Sequence, residues 1–243
     1  MRAVVTGCPV ATAFGVFEPI PSGRPVRWKT AVMSGPVWWL LAVAAVMAVV
    51  DWVAVARGFA VLEYVSKPAA TVALLATAVS LDVDHGGSWG WRVAALVFCV
   101  FGDVFLMLPR DTFVPGLASF AVGQVMFTVS FLTGEFVAWR LLVGAVLLVP
   151  AAAILARRFV GALRSSGRGD LVIPVIAYVV VISAMAVTAI GSGNPVAIVG
   201  ALVFMISDSL IAESRFVKAR SWHPVGIMVT YHFALTGLVL GLL

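Results

Sequence analysis

Asp103 and Asp208 each stand near the end of an apolar run long enough to cross a bilayer. They do so in similar words, Leu96-Val97-Phe98-Cys99-Val100-Phe101-Gly102-Asp103 and Leu202-Val203-Phe204-Met205-Ile206-Ser207-Asp208. A carboxylate carried into hydrocarbon is costly unless it is neutralised, paired or hydrated, so an acid in such a position marks a functional site. Two acids brought together at low dielectric do not both ionise; they are expected to share about one proton and to titrate as a pair. Such a pair suits a reaction in which one carboxyl protonates the reactant and the other stabilises the cation that forms, as in glycoside hydrolysis. Asp103 and Asp208 are therefore read as two acids delivered by two helices to one functional site.

The elements that must position them follow from hydropathy. A spanning helix needs about 20 mostly apolar residues. Runs of that kind lie at about 35–56, 68–83, 89–108, 113–133, 139–159, 171–191, 195–212 and 224–243, which predicts eight transmembrane helices. Breakers separate them: Asp84-His85-Gly86-Gly87-Ser88, Pro109-Arg110-Asp111, Arg164 to Asp170, and Gly191-Ser192-Gly193-Asn194-Pro195. Lys67-Pro68 is read as the opening of the second helix, where proline is tolerated in a first turn. Helices three and seven run parallel, so both aspartates fall in one leaflet, roughly 6–8 Å below its surface. Lys67, Tyr178 and Tyr231 enter the same leaflet. A four-plus-four parallel duplication would pair helix three with helix seven.

The fold class implied is all-α, a polytopic membrane helix bundle. The 243-residue chain is 62% hydrophobic and 11% charged, against about 25% charged for soluble domains, and its mean hydropathy is +1.10. The formal charge of +5 resides mostly in loops. In a membrane protein that reads as orientation and lipid contact, not nucleic-acid binding. Arg57, Lys67, Arg110, Arg157, Arg158, Arg164, Arg168, Arg215, Lys218 and Arg220 fall on one side, which is expected to be cytoplasmic. That puts the site in the cytoplasmic leaflet of the plasma (inner) membrane. Trp38, Trp39, Trp89, Trp91 and Trp222 read as interfacial belt residues. Cys8 and Cys99 form no disulfide pattern, and neither a metal nor a cofactor is implied. Residues 1–32, with four prolines and four basic residues, read as a disordered tail or a start-site artefact preceding a domain over 33–243.

Several words together carry a family resemblance. They are Lys67-Pro68, Gly102-Asp103-Val104-Phe105-Leu106-Met107-Leu108, the stretch Phe113 to Phe131, and Tyr178 with Met185. Gly200 through Ser207-Asp208-Ser209-Leu210-Ile211-Ala212 and Thr230-Tyr231-His232 complete the set. In order and spacing, over about residues 40–243, the chain resembles the YhhN-like membrane proteins, which include the animal lysoplasmalogenases. The resemblance implies an eight-helix integral membrane ether hydrolase. It would cleave the vinyl ether of a lysoplasmalogen-type lysophospholipid to a fatty aldehyde and glycerophospho-ethanolamine or -choline, with the motif aspartates as its catalytic pair. The chain departs from the family pattern at Gln124, Phe127 and Leu235, where the family carries histidine, tyrosine and glutamine.

Under this reading Lys67 holds the phosphate from the rim, with Arg110 or Arg215 beside it. Tyr178, Tyr231, Gln124 and Ser207 contribute to substrate binding. The alternative is a small proton- or cation-coupled transporter using the same two aspartates. Transporter acids usually lie near the midplane among broken helices; here both acids are off-centre, and no proline interrupts helices three or seven.

Overall fold

The computed structural model of the protein describes residues 35–83, 86–108 and 112–243. The predicted N-terminal tail, the Asp84-His85 breaker and Pro109-Arg110-Asp111 lie outside the described residues. The helices are α1 (Gly35–Arg57), α2 (Ala60–Ser80), α3 (Gly87–Met107), α4 (Phe113–Thr133), α5 (Ala138–Ser165), α6 (Val172–Ser192), α7 (Pro195–Ala212) and α8 (His223–Leu240). A 3₁₀ turn, Gly169–Leu171, leads into α6, and a π-helical turn, Glu213–Val217, continues α7.

Local chemistry sets the ends that matter to the site. Gly193 closes α6 at φ +71°, in the left-handed region that glycine alone enters without penalty. Asn194 then caps α7, its Oδ1 accepting from the backbone N–H groups of Val196 at 3.0 Å and Ala197 at 3.1 Å, with Pro195 at the first helical position. These residues fix where α7 begins, and so where Asp208 lies along it.

Among the described residues, seven of the eight helices are long and apolar enough to cross a membrane, one fewer than expected from the sequence. The exception is α2. It starts at Ala60, eight residues before the predicted opening at Pro68, so Lys67 lies in mid-helix and Pro68 inside it. The hydropathy reading stopped at Lys67 because the preceding turns carry Glu63, Ser66 and Lys67. Ser66 and Lys67 are buried toward the bundle, and a helix whose polar stripe faces inward reads as a break in an apolar run. In the other direction α5 runs on to Ser165, beyond the predicted residue 159. At 1.5 Å per residue it is about 42 Å long, so its Arg157, Arg158 and Arg164 end emerges from a hydrocarbon layer about 30 Å thick.

The helices pack as hairpins α1/α2, α3/α4, α5/α6 and α7/α8. In the first half α2 lies on α3 and on α8; in the second half α6 lies on α7 and on α4. The two halves match only in part, since α1 also lies on α8 while α5 has no comparable packing on α4. The core gathers Phe120, Phe127, Phe131, Met185, Phe204, Tyr231, Leu235 and Leu238. Outward-facing residues are apolar, among them Val61, Leu142, Val146, Ile154, Ile173 and Val180, as a lipid-facing surface requires. Trp38, Trp39 and Trp222 are exposed near helix ends. The α7/α8 contact is close because Gly200 meets Gly237: a Cβ on Gly200 would stand 2.8 Å from the Leu238 nitrogen and 2.9 Å from the Ala234 carbonyl oxygen.

Candidate active site

Asp103 lies four residues before the end of α3 and is completely buried. Two other elements converge on its carboxylate. From α2, Thr71 Oγ1 donates to Oδ2 at 2.6 Å, and from α8, Tyr231 Oη donates to the same oxygen at 2.8 Å. The other oxygen, Oδ1, faces the Lys67 ammonium at 3.6 Å. Lys67 and Thr71 are one helical turn apart, so α2 presents a cation and a hydroxyl on one face. Tyr231 is held by Phe120 and Phe204, which meet its ring edge-on at 5.8 and 5.7 Å.

Asp208 lies four residues before the end of α7, at the same end of the bundle because α3 and α7 share a direction. It is only half-buried. Tyr178 of α6 donates a short hydrogen bond to its Oδ2. Among the described residues no cation pairs with it. The neighbouring Ser207 is turned the other way, its Oγ donating to the Ile227 carbonyl at 3.1 Å and tying α7 to α8.

Both aspartates line one polar cavity of about 250 Å³, with Lys67, Ser207, Tyr231, Glu63, Ser214 and Arg215 among its walls. An apolar slot adjoins it, walled by Leu117, Leu155, Phe159, Val179, Ile182 and Met205 and reached by Tyr178. Leu106, Phe113, Phe120, Asp208 and Ile211 belong to both linings. Among the described residues Asp208 is the single acid of the slot, and it sits where the two spaces meet. The π-helical turn forms part of the outer wall: Ser214 and Arg215 border the polar side, Phe216 the apolar side. Glu213 anchors this turn to α5 through a two-pronged contact with Arg158 at 2.8 and 2.7 Å.

Two sequence expectations change. Lys67 is not a rim residue: it is 4% exposed, two turns into α2, and its ammonium points inward to Asp103. A lysine this deep reaches either the headgroups or a buried counter-charge, and the carboxylate wins because pairing removes two buried charges at once. Gln124 is buried in α4 but lines neither space, and its amide oxygen and nitrogen have no partner among the described residues. Arg110 lies outside the described residues. The sequence reading missed Thr71, Glu63 and a third buried acid, Asp51 of α1, whose Oδ1 accepts from Ser66 Oγ at 3.0 Å. Asp51 met the criterion applied to the other two acids, an acid within an apolar run. Glu63, Lys67 and Thr71 share one face at four-residue spacing, a signal visible once the helix is started at residue 60.

Comparison with known proteins agrees with this architecture. The chain is similar to a lysoplasmalogenase of Mycobacterium bovis, 33% identical over 180 residues, covering 72% of this chain and 67% of that protein. A Mycobacterium tuberculosis lysoplasmalogenase matches to the same extent. Human lysoplasmalogenase TMEM86B is 29% identical over 149 residues, 61% of this chain and 62% of the human protein. No solved structure matches. Residues 62–242, from the first turn of α2 to the end of α8, match the YhhN family, and the chain belongs to it.

Proposed function

We propose that the protein is a lysoplasmalogenase: a membrane hydrolase that cleaves the vinyl ether of a lysophospholipid, with Asp208 and Asp103 as its acid and its anion. One observation carries this reading. An acid stands where a polar cavity meets an apolar slot, and in a lysoplasmalogen the vinyl ether is the bond at which the polar glycerophosphate meets the hydrocarbon chain. The names of the relatives point to the same substrate.

The roles follow from the partners of each carboxyl. Asp103, facing an ammonium and accepting from two hydroxyls, is equipped to remain an anion. Asp208, with one phenol and no cation, is equipped to carry the proton. Asp208 protonates the β-carbon of the vinyl ether, and the C=C electron pair forms the new C–H bond. The resulting oxocarbenium ion is stabilised by the Asp103 carboxylate. Water adds to that carbon while giving a proton to Asp103, producing a hemiacetal. The hemiacetal collapses as Asp103 gives its proton to the departing glycerol oxygen and Asp208 takes the hemiacetal O–H proton, which releases aldehyde and glycerol hydroxyl and restores both carboxyls. The net change is addition of one water. Arg215 at the cavity wall suits the lipid phosphate, and Glu63 suits a headgroup ammonium.

The basic residues Arg157, Arg158, Arg164, Arg168, Arg215, Lys218 and Arg220 cluster at this end of the helices, which supports a cavity opening toward the cytoplasmic leaflet of a plasma membrane. Transport by the same acids fits less well. Asp103 is already paired with Lys67, and both acids lie one turn from helix ends instead of at the midplane. The test is aldehyde release by the purified protein from a 1-alkenyl lysophospholipid and from its saturated alkyl-ether analogue. Release from the alkenyl lipid alone is the expected result, because the alkyl ether has no C=C electron pair to accept a proton. Absence of aldehyde from both overturns the assignment.

A further inference from the structure

A second charged cavity lies at the opposite end of the bundle, and nothing in the proposed chemistry uses it. Its centre is Arg92, eleven residues before Asp103 on α3 and so about 16 Å away along the helix axis. Arg92 is 6% exposed. Its Nε donates to Ser130 Oγ at 3.2 Å, its Nη1 donates to the Gly241 carbonyl at 2.9 Å, and its guanidinium lies 4.8 Å from the centre of the Phe131 ring. A guanidinium has five N–H donors, so three remain. The ion pairs among the described residues are Lys67–Asp103 and Arg158–Glu213, and Arg92 is in neither.

A buried cation in a membrane protein is costly without a compensating charge. Helix ends supply little of one here. The N-termini of α3 and α7 meet the C-termini of α4, α6 and α8 at this cavity, so their dipoles largely cancel and leave about half the guanidinium charge unmatched. The cavity measures about 250 Å³, and its lining offers the Ser88 hydroxyl and the Asn194 amide, whereas the hydroxyls of Ser130 and Ser192 already donate to the Ser88 and Ala189 carbonyls at 2.6 and 2.7 Å. One acid, Glu135, belongs to the lining; it is exposed and makes no ion pair with Arg92. A second guanidinium, Arg140, lies against Gly193, between the lining residues Ser192 and Asn194.

We infer that the Arg92 cavity binds a phosphate group, with the phosphodiester of a phospholipid in the leaflet opposite the aspartate site as its occupant. The fit is chemical: a planar donor fork matches phosphate oxygens, and the Ser88 hydroxyl with the second Asn194 amide N–H adds donors beside it. Its position at helix ends, where headgroups lie, favours a lipid over a soluble ion.

The experiment uses the full chain purified in detergent and follows intrinsic-fluorescence melting against titrated dioctanoyl phosphatidylglycerol. Dioctanoyl glycerol serves as the phosphate-free control and inorganic phosphate as the soluble anion. A saturable rise in melting temperature with the phospholipid but not with the diacylglycerol is expected. Arg92→Lys should weaken the apparent affinity by about tenfold, and Glu135→Gln, an exposed change that leaves folding alone, should tighten it several-fold. The same saturable, Arg92-dependent rise with inorganic phosphate but not with the phospholipid keeps the phosphate site and overturns the lipid as its source. No saturable stabilisation by either, or Glu135→Gln and Arg92→Lys proteins that bind like the unmodified chain, overturns the site. If Arg92→Lys fails to fold, the Glu135→Gln shift alone decides. None of these readouts depends on hydrolysis.

Discussion

The two aspartates differ in what surrounds them, and that difference makes their substitutions distinguishable. Asp208→Asn removes the proposed proton donor but keeps volume and, among the described residues, leaves no ion pair broken, so aldehyde release should fall about 100- to 10,000-fold with little change in melting temperature. Asp103→Asn should also stop turnover, but it strands the Lys67 ammonium, 3.6 Å away and almost fully buried. Removing one member of such a pair costs about 3–5 kcal/mol. Lys67→Met should lose a similar amount by stranding the carboxylate. Combining Lys67→Met with Asp103→Asn should recover most of that stability without recovering activity. Melting curves and aldehyde assays on the two single variants and the double variant check this, and a double variant as unstable as the worse single variant would contradict the pairing. At Asp208, Tyr178→Phe removes a single hydrogen bond to the carboxyl and should lower kcat roughly tenfold.

At the scale of elements, the site depends on α7 and α8 lying close enough for Ser207 to reach the Ile227 carbonyl and for Tyr231 to reach Asp103. Gly200 permits that approach, since a methyl there would press on the backbone of α8. Gly200→Ala should therefore destabilise the protein by about 1–3 kcal/mol and lower activity with it. Gly161 provides the contrast: it lies in α5, with open space around the position a Cβ would take. Gly161→Ala should be neutral or stabilising by up to about 1 kcal/mol, because alanine loses less backbone entropy in a helix. Thermal melting of both variants followed by circular dichroism tests the pair. Equal effects would mean that the α7/α8 crossing is not held by its glycines.

At the scale of the whole molecule, the aspartate end of the bundle holds a polar cavity and an apolar slot that share Asp208. That division implies selection by chain length. Leu155, half-buried on α5, lines the slot far from either aspartate in sequence. Leu155→Trp should cut kcat/KM for a long-chain alkenyl substrate by about 10- to 200-fold while sparing a short, octenyl one. A uniform loss across chain lengths would place the hydrocarbon elsewhere.

The sequence by itself determined the class, a helical membrane bundle, because hydrocarbon admits few polar residues and each run of them is visible. It also singled out Asp103, Asp208, Tyr178 and Tyr231, since a polar group inside an apolar span stands out whatever its neighbours. It did not determine where α2 begins or what Lys67 does. Hydropathy counts residues along the chain, whereas burial depends on which helix faces which. Only the tertiary structure decided that Glu63, Lys67 and Thr71 form an inward stripe, that Lys67 meets Asp103 across two helices, and that Gln124 lies behind the cavity walls. Arg92 shows the same limit at the other end: its burial among four other helix ends exists only in three dimensions.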